Sequence, residues 1–132
     1  MTALPAKVKD FLKRPEPVKV LVTADATGQP RGIVCGSIVV PDDETLAVGE
    51  VFMNTTKGNL ESNPKAAVTV VFGAEAYNIN VSVIGRYEEG EILDTMNERL
   101  SKVNLHARAV WTFRVESVYD EGINPNAGKL IS

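Results

Sequence analysis

The sequence predicts a mostly β fold, an antiparallel barrel of six strands with helices at its ends. Three observations predict it. Six segments alternate apolar and polar residues with the period of two that is typical of strands. Turn-forming residues separate most of these segments at short intervals. Only three segments have helical spacing, too few for the alternating order of a parallel α/β sheet. At 132 residues, the chain is expected to form a single domain, residues 1–132.

The first half of the chain is predicted to contain one helix and three strands. A helix is expected over residues 4–14, because its apolar residues share one helical face and two prolines follow it. The first strand starts at Val18 and ends at a turn over residues 25–30 that contains Gly28. The second and third strands are expected at residues 31–40 and 45–49.

The second half is predicted to contain two helices, three strands and an irregular tail. A short polar helix is expected over residues 55–62, with Thr55 as its N-cap and Pro64 beyond its end. The best helix spans residues 91–103, with an apolar stripe that ends at Val103. The remaining elements are strands at residues 65–72, 77–87 and 109–118, and an irregular tail from 120 to 132.

Composition excludes several functional classes. The net charge is −3, and the lysines and arginines are scattered, so nucleic acid is not an expected partner. No apolar run approaches the roughly 20 residues of a membrane helix, and no secretory signal is visible. One cysteine and one histidine exclude an internal disulfide and disfavour a metal site built from those residues. We therefore expect a cytoplasmic protein without a bound metal.

The start of the polar helix is the most informative segment for function. A helix start exposes unpaired backbone N–H groups and carries partial positive charge. Thr55, Thr56 and Lys57 add two hydroxyls and an ammonium there, and together these groups would form a compact phosphate pocket. The alternative is that Thr55 only caps the helix and Lys57 is solvated.

The order of elements resembles that of a known family. The residues that carry the resemblance lie in the strands at 36–40 and 45–49 and in the segment 55–68, where Thr56-Lys57 is followed by Asn59-Leu60, by Asn63-Pro64 and then by a valine-rich strand. This pattern resembles the flavin-binding split barrels, which are relatives of pyridoxamine 5'-phosphate oxidase, and in particular their small FMN-binding members. The resemblance covers residues 18–118.

The resemblance implies a six-stranded split β-barrel that forms a homodimer and binds FMN at the dimer interface. It implies that Thr55, Thr56 and Lys57 hold the phosphate and that Asn59 supports the site. It places the strand from Val34 to Ser37 along the isoalloxazine ring. The complete set of implied cofactor-binding residues is Val34, Cys35, Gly36, Ser37, Asn54, Thr55, Thr56, Lys57 and Asn59.

The expected function is that of an FMN-dependent oxidoreductase, with a small electron donor or acceptor such as NAD(P)H. A flavin supplies its own redox chemistry, so no catalytic residue needs to be assigned. Two alternatives remain open: an electron carrier or sensor, and the same fold binding F420 or haem. The C-terminal residues 124–129 do not match the substrate segment of full pyridoxamine phosphate oxidases, so vitamin B6 oxidation is not expected.

Five further residues are candidates for a role in the site, and three of them have two interpretations each. Cys35 is either a small buried residue or redox-active, and His106 is either a solvated loop residue or a proton donor or haem ligand. Trp111 either packs in the core or an interface, or stacks near the flavin. Arg86 and Arg114 are candidates for a second phosphate-binding cation.

Overall fold

The structure, a computed structural model, describes residues 2–132. Within these residues, three segments are helical: α1 (Ala6–Lys13), α2 (Asn54–Ser62) and α3 (Glu91–Ser101). The strands, in chain order, are β1 (Val18–Ala24), β2 (Pro30–Val34), β3 (Ile38–Asp42), β4 (Thr45–Gly49), β5 (Lys65–Phe72), β6 (Glu75–Tyr87), β7 (Val110–Asp120) and β8 (Lys129–Leu130). None of the helices in this part of the chain is long and apolar enough to cross a membrane.

The strands form one antiparallel sheet in the order β2-β1-β5-β6-β7-β4-β3, with β8 beside β7. The two end strands, β2 and β3, are consecutive in the chain and are joined by Cys35, Gly36 and Ser37. The Cys35 N–H donates to the Lys19 carbonyl at 2.8 Å, and the Gly49 N–H donates to the Ser37 carbonyl at 3.2 Å. One extended segment therefore pairs first with β1 and then with β4, which closes the sheet into a barrel.

This closure confirms the mostly β antiparallel barrel and explains why six predicted strands become eight. The single strand expected at residues 31–40 is divided into β2 and β3, because its pairing partner changes at Gly36. The eighth strand lies in the tail that was expected to be irregular. There, Leu130 pairs with Tyr119, so part of that expectation was wrong. A two-residue strand carries no alternation from which the sequence could reveal it.

The barrel interior contains the alternating apolar residues of β1, β5, β6 and β7. Leu21, Val68, Ile79 and Phe113 are fully buried there. Helix α1 packs on the same core, and the Phe11 ring meets another aromatic ring edge-on at 5.6 Å. The predicted first helix and the predicted inward faces of β6 and β7 are thus confirmed.

Helix α3 packs on the outside of the barrel and forms a second, smaller core. Met96 and Leu100 of α3 contact Ala47 of β4 and Val110 of β7 in this cluster. Val110 alternates with the buried residues Trp111 and Phe113 along β7, yet α3 covers it and buries it completely. The helix ends two residues earlier than predicted, and Val103 is 62% exposed beyond it.

Candidate functional site

An apolar cavity of about 360 Å³ lies beside the segment that closes the barrel. Val34, Cys35, Gly36 and Ser37, the four residues expected to lie along a flavin ring, all line it. The opposite lining comes from the loop after β4 and from the end of α3 with the residues that follow. Its apolar contributors are Val51, Phe52, Met53, Leu100, Val103 and Leu105.

A polar cavity of about 240 Å³ lies at the start of α2 and is called here the helix cavity. Asn54, Thr55 and Thr56 line it together with Arg31. It shares two lining residues, Ile33 and Phe52, with the apolar cavity. The two cavities are therefore neighbours, one apolar and one polar, and together they are called here the groove.

The start of α2 is arranged to accept an anion. The helix begins at Asn54, and the first amide bonded into it is that of Lys57, which donates to the Met53 carbonyl at 2.8 Å. The amides of the three preceding residues have no acceptor within the helix. Met53 occupies the N-cap position and makes no side-chain cap. The expectation that Thr55 is the N-cap was therefore wrong: Thr55 lies inside the first turn.

A second polar cavity, of about 290 Å³, continues the groove beyond Thr55 and is called here the turn cavity. It is lined by residues of the β1–β2 turn, including Asp25, and by Arg31 and Asn59. The Asp25 carboxylate accepts hydrogen bonds from the Thr27 hydroxyl at 2.7 Å and from the Thr27 amide at 2.9 Å. These bonds lower the pKa of Asp25, so the far end of the groove carries a fixed negative charge.

Arg31 is the cation that sequence reasoning missed. It lines both polar cavities, whereas Lys57 is half-buried and lines neither the helix cavity nor the turn cavity. Arg31 reaches this position because it pairs with Thr23 across the β1–β2 hairpin. The turn around Gly28 was visible in the sequence, but the position of α2 beside β1 was not.

Asn59 attaches α2 to the barrel. Its side-chain amide donates to the Thr23 hydroxyl of β1 at 3.1 Å, and both residues are buried. The Asn59 carbonyl accepts the amide of Asn63, just beyond the end of the helix. Since Thr23 is also the register partner of Arg31, one buried contact positions both the helix start and the arginine.

A buried charge network sits behind the loop between β4 and α2. The Glu50 side chain is 0% exposed, and both of its oxygens bind Arg86 at 2.9 Å. The Trp111 indole donates to Glu50 at 2.8 Å, and Arg108 lies 3.3 Å away. Hydrogen bonds from Arg86 and Trp111 lower the pKa of Glu50 despite its burial. This network could not be predicted from the sequence, because Arg86 and Trp111 are 36 and 61 residues from Glu50 in the chain.

The structure also shows where four other candidate residues from the sequence analysis lie. Arg86 is held by Glu50 and Glu88, and neither it nor Arg114 lines the groove. Trp111 is buried, with the Arg86 guanidinium 5.9 Å from its ring centre, so packing explains it. His106 is exposed in the loop between α3 and β7.

Cys35 has the surroundings of a buried structural cysteine. Its sulfur lies 3.7 Å from the Ser37 hydroxyl, which in turn donates to the Gly49 carbonyl at 3.1 Å. Burial raises the pKa of the Cys35 thiol, which keeps it protonated at neutral pH. The side chain therefore contributes to the wall of the apolar cavity as a small apolar group.

A comparison with protein families shows to which family the chain belongs. The model of the pyridoxamine 5'-phosphate oxidase family matches residues 4–121, which include every helix and seven of the strands described above. The chain belongs to this family. The resemblance inferred from the order of elements is thereby confirmed, and the barrel is the split barrel of the pyridoxamine 5'-phosphate oxidase family.

Individual proteins and solved structures that resemble this chain have low sequence identity to it. An uncharacterised protein of Methanocaldococcus jannaschii is 28% identical over 116 residues, which cover 85% of this chain and 78% of that protein. The HupZ structure from Group A Streptococcus has a TM-score of 0.80 at 23% identity, covering 95% of this chain and 99% of that one. An FMN-binding protein from Syntrophomonas wolfei has a TM-score of 0.79 at 17% identity, covering 86% and 83%.

Similar folds also occur in proteins named for other ligands. An F420 reductase has a TM-score of 0.70 at 17% identity, covering 87% of this chain and 98% of that one. The haem storage protein HutZ of Vibrio cholerae has a TM-score of 0.63 at 17% identity, covering 92% and 97%. At these identities the likeness shows a shared fold. The choice among ligands must rest on this chain's own residues.

Proposed function

We propose that this protein binds FMN in the groove formed by the apolar cavity and the helix cavity. The observation that carries the proposal is that the two cavities adjoin and share Ile33 and Phe52 in their linings. FMN has a flat, largely apolar ring system at one end and a dianionic phosphate at the other. The groove has the same order: an apolar wall, then a helix start with two threonines and an arginine.

The proposal assigns a role to each predicted cofactor residue. Val34 through Ser37 form the wall along the ring. The amides of residues 54–56, the hydroxyls of Thr55 and Thr56 and the Arg31 guanidinium bind the phosphate, and Lys57 adds positive charge from outside the helix cavity. Asn59 acts indirectly, by fixing α2 against β1.

Bound FMN would supply hydride or single-electron transfer, so the protein itself must bind, orient and shield the cofactor. We assign the protein to the oxidoreductases, with a small donor or acceptor such as NAD(P)H. An electron carrier or sensor built on the same site is the alternative, and reduction by NAD(P)H separates the two.

FMN fits the groove better than the two other ligands of similar folds. A histidine-ligated haem is disfavoured, because the single histidine, His106, lines none of the three cavities described. F420 continues beyond its phosphate into an acidic tail, which would meet the fixed charge of Asp25 in the turn cavity. FMN ends at its phosphate, before that charge.

The deciding experiment is a titration of the flavin-free protein with FMN, F420 and haem, each followed by its visible spectrum. We expect saturable FMN binding with retention through gel filtration, and weaker binding of F420 and haem. Bleaching of the bound flavin by NAD(P)H under anaerobic conditions supports an oxidoreductase, and no bleaching supports a carrier or sensor. Preferential binding of F420 or haem would overturn the proposal.

A further inference from the structure

A basic cavity of about 370 Å³ lies next to the barrel-closing segment and is lined by Gly36 of that segment. Four cationic residues line it: Lys13 and Arg14 from the end of α1, Lys19 from β1 and Arg99 from α3. No carboxylate is among its lining residues. Four like charges around one cavity repel each other, and a bound anion would relieve that repulsion.

The state of Lys19 independently supports an anion in this cavity. Its side chain is only 9% exposed, and it forms no ion pair with any carboxylate in residues 2–132. Its ammonium donates one hydrogen bond, to the Arg14 carbonyl at 2.7 Å, which leaves two of its three N–H donors. Charges on largely buried residues are normally paired, so an ammonium that lines a cavity and has spare donors favours an acceptor inside that cavity.

The charged groups around Lys19 do not supply that acceptor. The nearby carboxylate, Glu16, is exposed and bound to the Arg14 guanidinium at 3.1 Å. The Cys35 thiol stays protonated because burial raises its pKa. Desolvation and then the Arg99 charge lower the pKa of Lys19, as expected for an ammonium that lacks its counterion.

The basic cavity and the apolar cavity meet at Gly36, which lines both. Gly36 has no side chain that could stand between the two spaces. We propose that the basic cavity binds the phosphate or carboxylate group of the small molecule that exchanges electrons with the flavin. Its position beside that flavin rests on the proposed function, whereas anion binding itself does not.

The test is calorimetric titration of the FMN-loaded protein with inorganic pyrophosphate and, separately, with succinate, which distinguish a phosphate from a carboxylate site. The variants are Arg99→Gln and Lys13→Gln, both of exposed side chains. The matched control is Lys102→Gln, which removes the same charge from the end of α3 outside the cavity. We expect saturable binding of one anion, about ten-fold weaker in Arg99→Gln and nearly unchanged in Lys102→Gln.

Each outcome has a defined meaning. The absence of saturable binding of both anions, or an equal loss in Arg99→Gln and Lys102→Gln, overturns the basic cavity as a site. The bound anion is also expected to shift the flavin absorption bands in the wild type, and binding without that shift overturns its position beside the flavin. If FMN itself does not bind, the proposed function fails, and the same titrations of the FMN-free protein still decide whether the anion site exists.

Discussion

At the residue scale, the proposed phosphate site depends on two cationic residues that occupy different positions. Arg31 lines both polar cavities, whereas Lys57 lines neither of them. A charge-assisted hydrogen bond contributes about 1.5–3 kcal/mol, or about ten-fold or more in affinity. We expect Arg31→Gln to weaken FMN binding by about that factor and Lys57→Gln by about three-fold, as measured by fluorescence titration. A larger loss in Lys57→Gln would mean that the phosphate lies on the other side of the helix start.

Removing the charge of Glu50 should lower the free energy of unfolding strongly. Removing its charge leaves the guanidinium of Arg86 without its buried partner, which costs about 3–5 kcal/mol in comparable pairs. We expect Glu50→Gln to lower the free energy of unfolding in urea by about 3 kcal/mol. The control is Glu88→Gln, because Glu88 binds the same arginine at 2.9 Å from an exposed position and should contribute less than about 1 kcal/mol.

The same carboxylate predicts a pH dependence. The folded state lowers the pKa of Glu50 below its ordinary 4.5, so the folded state holds the proton less tightly than the unfolded chain. Its stabilising contribution is therefore complete above about pH 4.5 and is lost as the pH falls through the folded-state pKa. Urea unfolding at a series of pH values should show the gap between wild type and Glu50→Gln narrowing below that pH. A constant gap would show that the charge of Glu50 is not what stabilises the fold.

At the element scale, the orientation of α2 depends on its attachment to β1 through Asn59 and Thr23. We expect Asn59→Ala to destabilise the protein by about 1–3 kcal/mol, because it leaves the buried Thr23 hydroxyl without its donor. It should also weaken FMN binding, because Asn54 through Thr56 lose their fixed position. Thr23→Val completes a double-mutant cycle. If the two substitutions are additive in stability, the hydrogen bond is not what holds the helix.

The elements that the sequence predicted well are those whose pattern is local. The alternation in β6 and the spacing of Val8, Phe11 and Leu12 in α1 depend on neighbours in the chain, and both are confirmed. The division of residues 31–40 into β2 and β3 could not be predicted, because it depends on which strands lie on either side of Gly36. Val110 is a similar case, because α3 covers a face that alternation alone assigns to solvent.

For the site as well, the sequence predicted local features and missed those that depend on long-range contacts. The segment from Val34 to Ser37 was predicted from the family resemblance and the first turn of α2 from its own residues as well, and the structure places both in the linings of adjoining cavities. Arg31 was missed because its place beside the start of α2 depends on the hairpin register and on the position of α2, and the position of α2 is set by long-range contacts. Glu50 was missed because a glutamate after a strand is usually solvated, and only its distant partners make burial tolerable.

At the scale of the whole molecule, the exposed apolar side chains bear on assembly. Val34 and Phe52 are 74% and 75% exposed, and Val103 is also well exposed, yet all three line the apolar cavity. Contiguous apolar surface of this kind is typical of an interaction site. We propose that a second copy of the chain covers it and completes the FMN pocket. A stable dimer would bury about 800 Å² on each subunit.

Phe52→Glu tests this proposal, because it places a charge in the centre of the proposed interface. The matched control is Ile123→Glu, which introduces the same charge at an exposed apolar residue that lines none of the cavities described here. Sedimentation velocity should show a dimer for the wild type and Ile123→Glu, and a monomer for Phe52→Glu. If the pocket is shared, Phe52→Glu should also lose about ten-fold or more in FMN affinity, because it removes the partner's contacts and changes a residue that itself lines the groove. A monomer that keeps full affinity would place the whole FMN site within one chain.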